Sequence, residues 1–141
     1  MDKICYKNGY KYQLCADYEI LVEGITLSRE YSSEFLRIQP DLLPGNVCLR
    51  IKAGYAWDGP SGPTIDTKTF MRGSLVHDAL YQLMRERVLN KNLNRKVADK
   101  ILYALCRQDG MSWFRAKYVY WGVRFGANMA AIKEEGVQTA P

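Results

Sequence analysis

The sequence is poor in the residues that build metal clusters and covalent frameworks. It has one histidine, five prolines and four cysteines in 141 residues. Cys5, Cys15, Cys48 and Cys106 are widely spaced and form no C-x-x-C pair, so a structural zinc site is disfavoured. They read as buried, reduced thiols, with a disulfide between the N-terminal strands left open. The net charge is +5, yet no basic run accompanies it, and no specific nucleic-acid partner is expected. The segment from Met1 to Tyr6 has no apolar core, so no secretory leader is expected. Repeats and linkers are also lacking. The expectation is one domain over residues 1–141, long enough to bury a core.

What is present divides into two periods. Residues 1–55 read as β-rich. Tyr10 to Leu14, Phe35 to Ile38 and Val47 to Ile51 alternate apolar with polar, and Tyr18 to Val22 is rich in strand formers. Glycines and prolines punctuate these runs, giving an antiparallel sheet of about four or five strands. Residues 56–69 form a turn-rich loop. Residues 70–132 then carry helical periodicity in three segments, and 133–141 read as a flexible polar tail. The fold class is α+β, with an N-terminal antiparallel sheet followed by three α-helices.

The first helix is expected over about 70–88, and Asn92 or Asn94 can cap the second. Asp109-Gly110 ends the second helix with glycine in its usual terminal place. Ser112 caps the third. That helix carries an aromatic stripe, Phe114, Tyr118, Trp121, Phe125 and Met129, among Arg115, Lys117, Arg124 and Lys133. Packing of the stripe against the sheet is the expectation, with an interfacial membrane role as the alternative. The third helix is too charged to span a bilayer. Gly122 and Gly126 favour close packing.

The single histidine narrows the chemistry most, because only its side chain has an unperturbed pKa near neutrality. His77 and Tyr81 are four apart and share a helix face, while Asp78 points about 100° away. Asp99 follows on the second helix. In a simple hairpin with these helix ends His77 and Asp99 are not level, so an oblique connection over residues 86–93 is needed to join them. Joined, Asp99 would fix the imidazole tautomer and stabilise the imidazolium formed when His77 takes a proton from water. The alternative is a buried polar network of His77, Asp78, Asp99 and Tyr81 that locks the helices to the loop.

Upstream, Asp58, Ser61, Thr64 and Asp66 stand among Gly59, Pro60, Gly62 and Pro63. With Asp78, the carbonyls of Trp57, Gly59 and Ser61 could ring a hard cation such as calcium. The plainer alternative is that these residues turn the chain from sheet to helix.

Two resemblances rest on these residues. Gly54-Tyr55-x-x-Asp58-Gly59-x-Ser61-x-Pro63, followed by Ser74-x-x-His77-Asp78-x-Leu80-Tyr81, resembles an uncharacterised family of tailed phages and bacteria. That likeness implies a phage-type origin and no activity. His77-Asp78-x-x-Tyr81 with Val97-Ala98-Asp99 resembles the active-site helices of phospholipases A2, above all the compact domains of small-virus capsid proteins. This likeness implies His77 as the base, Asp99 as its partner, Tyr81 as a buttress and Asp78 as a calcium ligand. Pro60 and Pro63 interrupt the calcium loop expected of that family, and the N-terminal sheet has no counterpart in it. The expected function is hydrolysis of phospholipid esters at a membrane surface. The alternative is a non-enzymatic virion or tail component, or a protein that binds a host protein. Synthesis in the host cytoplasm follows from either, with virion association open and oligomeric state unread.

Overall fold

The computed structural model describes residues 4–7, 12–57 and 68–136, with the side chains of the last helix described as far as Gly126. Seven short strands precede three helices: β1 (Tyr6–Lys7), β2 (Tyr12–Leu14), β3 (Tyr18–Glu23), β4 (Tyr31–Ser32), β5 (Leu36–Pro40), β6 (Asn46–Ile51) and β7 (Ala56–Trp57), then α1 (Met71–Arg85), α2 (Lys91–Gln108) and α3 (Trp113–Gly136). The chain is α+β, as expected, but the strands divide into two antiparallel sheets rather than one. Their orders are β1-β2-β7 and β3-β6-β5-β4.

Alternation sets the face of the larger sheet. Tyr18, Ile20 and Val22 lie opposite Ile51, Leu49 and Val47, while Leu36 and Ile38 pair with Ile51 and Leu49 from the other side. These side chains point one way and pack with Leu75, Val76, Ala79, Leu80 and Leu83 of α1 in one core. The opposite face is polar. It sets Arg37 beside Arg50, a like-charge pair relieved by Glu30 on Arg37 and by Asp17 and Glu19 on Arg50. Because three of the four cysteines are not buried, the expectation of buried thiols holds only for Cys106.

The helix ends explain the geometry that follows. α1 stops at Arg85, three residues before the expected end, in a Schellman motif. The N–H of Val88 donates to the Leu83 carbonyl at 2.9 Å and that of Arg87 to Met84 at 3.0 Å. Arg87 takes the left-handed position, φ 64°, that glycine usually fills. α2 begins earlier than expected, because the cap is Asn90, whose side chain accepts from the Leu93 N–H. It ends at Gln108, with Gly110, φ 103°, just past the cap Asp109 and Met111 N–H bonded to Cys106 O, where the sequence placed the glycine. Ser112 caps α3 by accepting from the Arg115 N–H, and α3 extends past the expected end at 132 to Gly136.

α3 lies against α2, not the sheet. Ala116 is buried with Leu102, Cys106 and Met111, and Val119 and Val123 pack on that cluster. The stripe of Phe114, Tyr118, Trp121 and Phe125 is therefore on the solvent side, 61–78% exposed, which overturns the expectation of packing against the sheet. The side chain of Met129 lies outside the described residues. Gly122 and Gly126 face open space, so they mediate no close approach among the described residues. The close approach is at Gly73 instead. A Cβ there would lie 3.0 Å from Leu102 Cδ1 and 3.1 Å from Cys106 Sγ, so glycine lets α1 and α2 come together.

Candidate active site

His77 and Asp99 are level. With α1 ending at Arg85 and α2 starting at Lys91, each residue stands eight positions from the connection. The oblique crossing expected from longer helix ends is unnecessary. His77 Nε2 lies 2.7 Å from Asp99 Oδ1. Tyr81, one turn along α1, donates its hydroxyl to the same oxygen at 2.7 Å, and its ring lies 4.2 Å from the imidazole. The third donor comes from α3. Arg124 Nη1 bonds Asp99 Oδ2 at 2.8 Å.

Asp99 is fully buried, and His77 is only 7% exposed. Burial alone would raise the Asp99 pKa. The bonds from His77, Tyr81 and Arg124 outweigh it and hold the carboxyl below its ordinary value. An ionised carboxylate accepts only, so Nε2 carries the hydrogen toward Asp99 and Nδ1 keeps its lone pair. Burial pushes the His77 pKa down, but the adjoining carboxylates Asp78 and Asp99 overcome it and leave the imidazole more basic than usual. Tyr81 is driven the same way, by burial and then by Asp99, and stays a protonated donor.

His77 also lines a cleft of about 1020 Å³. Ser74, His77 and Asp78 of α1 line one wall, and Trp113, Phe114, Lys117, Tyr118 and Trp121 of α3 line the other. Asp78 is partly exposed, with its Oδ1 3.8 Å from His77 Nδ1, beyond direct hydrogen bonding. Lys117 brings a positive charge to the lining and lies over the rings of Tyr103 and Trp113. A proton acceptor, a polarising cation and an apolar wall thus share one concave surface.

Most of the loop of the predicted cation site falls outside the described residues. Gly59 and Ser61 lie outside the described residues, as do Asp58 and Asp66. The Trp57 side chain is buried, and its indole N–H donates to Ser74 Oγ at 3.0 Å, which ties β7 to α1. Of the proposed ligands, only Asp78 presents a carboxylate. Among the described residues no group of three His, Cys, Asp or Glu side chains could hold a metal ion.

Sequence reasoning missed Arg124 in the site. It was visible only as one of several charges around the stripe, and nothing local marks it as facing a carboxylate 25 positions earlier. Ser74 and Lys117 were also missed.

The model of a family described as protein of unknown function, DUF1353, matches residues 44–123. That is more than half of the chain. The chain belongs to this family. The segment shared with DUF1353 contains β6, β7, α1, α2 and the start of α3, and so holds His77, Asp78, Tyr81 and Asp99. Arg124 lies one residue beyond it. Comparison with curated proteins and with solved structures returned no match.

Proposed function

We propose that this DUF1353 protein hydrolyses phospholipid esters, with His77 as general base and Asp99 as its partner. The observation that carries the reading is the 2.7 Å contact of Nε2 with a buried, ionised carboxylate on a ring that lines an apolar cleft. Nδ1 takes a proton from water as the hydroxide adds to the ester carbonyl. The imidazolium then returns that proton to the leaving alkoxide as the tetrahedral intermediate collapses. Asp99 stabilises the imidazolium, and Tyr81 and Arg124 hold the carboxylate in place. Lys117 supplies positive charge beside the cleft for a phosphate or a developing oxyanion. The exposed stripe of α3 gives aromatic side chains with flanking Lys and Arg, a composition that suits a headgroup boundary. Among the described residues no helix is long and apolar enough to cross a membrane.

A second reading rests on Arg124. A carboxylate already paired with a guanidinium has less charge to lend an imidazolium, and such a cluster can serve only to lock three helices together. On that reading the aromatic stripe is a protein interface of a virion, tail or host-directed binding protein.

The test is fatty-acid release from phosphatidylglycerol vesicles, with and without calcium. The wild type is expected to release fatty acid, and His77→Ala to lose roughly 10³-fold or more with its circular dichroism unchanged. No release by the wild type in either condition overturns the reading.

A further inference from the structure

The N-terminal ribbon carries a second reactive pair, remote from His77. The β1–β2 register places Tyr6 opposite Leu14 and Lys7 opposite Gln13, and one step further it places Cys5 opposite Cys15. The Cys15 N–H donates to the Cys5 carbonyl at 2.7 Å, so the two form a hydrogen-bonded cross-strand pair. Such partners have Cα atoms about 5.5 Å apart, inside the Cα range of a disulfide, and side chains on one face, so a small approach of the Cβ atoms suffices to bridge them. Both cysteines are exposed, and neither is bridged. The Cys5 pKa is raised, chiefly by the neighbouring Cys15 thiol.

We propose that Cys5 and Cys15 are a dithiol site, oxidised to a cross-strand disulfide by a two-electron oxidant of the peroxide class. The thiolate of one cysteine attacks a peroxide oxygen, giving a sulfenic acid and releasing the first water. The thiol of the other then attacks the sulfenyl sulfur, the S–S bond forms, and the sulfenic oxygen leaves as the second water. Two thiols lose two hydrogens and two electrons, and hydrogen peroxide is reduced to two waters.

The remaining cysteines are placed to stay reduced. Cys106 is buried between α1 and α2, and burial, with Asp109 nearby, pushes its pKa up to about 12. Cys48, half-buried on β6, is raised by burial and by Glu19. The Cys5 pKa is raised as well, so access rather than thiolate character singles out the exposed pair as the site of oxidation. The bond would clamp β1 onto β2. The ladder continues from β2 to β7, whose Trp57 donates to Ser74 in the cleft wall, so the clamp fastens the sheet that abuts the start of α1. An exposed disulfide of this kind lies at the labile, reversible end of the range.

The experiment treats the full chain with hydrogen peroxide, blocks free thiols with iodoacetamide and maps peptides by mass without reduction. The expected product is one intramolecular peptide pair joining Cys5 and Cys15, lighter by two hydrogens, with Cys48 and Cys106 alkylated. Dithiothreitol should restore four alkylated cysteines. In Cys15→Ser the linked pair should vanish, and Cys5 should be trapped by dimedone as a sulfenic acid. Alkylation of both Cys5 and Cys15 after an exposure that oxidises Cys5 in Cys15→Ser would overturn the proposal. So would linkage of either residue to Cys48, to Cys106 or to a second chain.

Discussion

Arg124 Nη1 donates to Asp99 Oδ2 at 2.8 Å, so the carboxylate that faces His77 also holds α3. Both carboxylate oxygens are thereby occupied. His77 and Tyr81 share Oδ1, and among the described residues Arg124 alone takes Oδ2. The positive charge on Arg124 draws potential away from the imidazole. Its removal should make His77 more basic still. Arg124→Gln should therefore move the acid limb of the pH–rate profile to higher pH and cost about 1–3 kcal/mol of stability. An unmoved limb would show that Arg124 does not act through Asp99. The profile and a urea melt supply the two readouts.

Stability and hydrolysis should respond to pH in opposite senses. The His77 pKa is raised, so its contribution is complete below the unfolded value, about 6.5, and is lost as pH rises through the folded value. The Asp99 pKa is lowered, so its contribution is present above about 3.9 and is lost as pH falls through the folded value. The cluster thus stabilises most between roughly pH 4 and 6.5. Hydrolysis needs neutral His77 and should rise where this stabilisation declines. Melting temperatures across pH should show a maximum in that window, flattened in Asp99→Asn. Because His77 is the only histidine, its proton resonances report the titration without ambiguity. A midpoint below 6.5 would contradict the account.

The α1–α2 contact at Gly73 should control the dyad from one turn away. In Gly73→Val the branched side chain would meet Leu102 and Cys106, a clash that costs about 1–3 kcal/mol. Forcing the helices apart there also lengthens the His77–Asp99 contact. Hydrolysis should fall more than the folded fraction does. Comparing kcat per folded molecule with a thermal melt separates the two losses, and an equal loss in both would mean that the dyad does not depend on this approach.

The α3 stripe should meet lipid directly. Trp113 and Trp121 are exposed while Trp57 is buried. Adding anionic vesicles should shift tryptophan emission to the blue, and Phe114→Ser with Trp121→Ser should weaken vesicle co-sedimentation roughly tenfold or more. An unchanged spectrum would favour the protein-interface reading of the stripe.

Much of this architecture was legible because it rests on period and terminal chemistry. Alternation over Val47 to Ile51 marked β6, and Asp109-Gly110 marked the end of α2. The end of α1 was illegible because Arg87, not glycine, takes the left-handed position, so the apolar pattern ran on to Val88. That error of three residues, with the α2 cap at Asn90 rather than Asn92 or Asn94, made His77 and Asp99 look out of step. The phospholipase resemblance pointed to His77, Tyr81 and Asp99 together, but Arg124 depends on how α3 crosses α2, which no local pattern encodes. The aromatic stripe misled for a related reason. Amphipathic spacing tells which side chains share a face, not whether that face meets core or solvent.

The most direct test of the central claim, that His77 and Asp99 work as one catalytic unit, is fatty-acid release by four proteins. These are the wild type, His77→Ala, Asp99→Asn and the double variant, each assayed on the same vesicles near pH 8. The account predicts release by the wild type, a large loss in each single variant, and a double variant no slower than His77→Ala, because groups acting as a unit lose their contribution once. Equal release by the wild type and by a folded His77→Ala would contradict it.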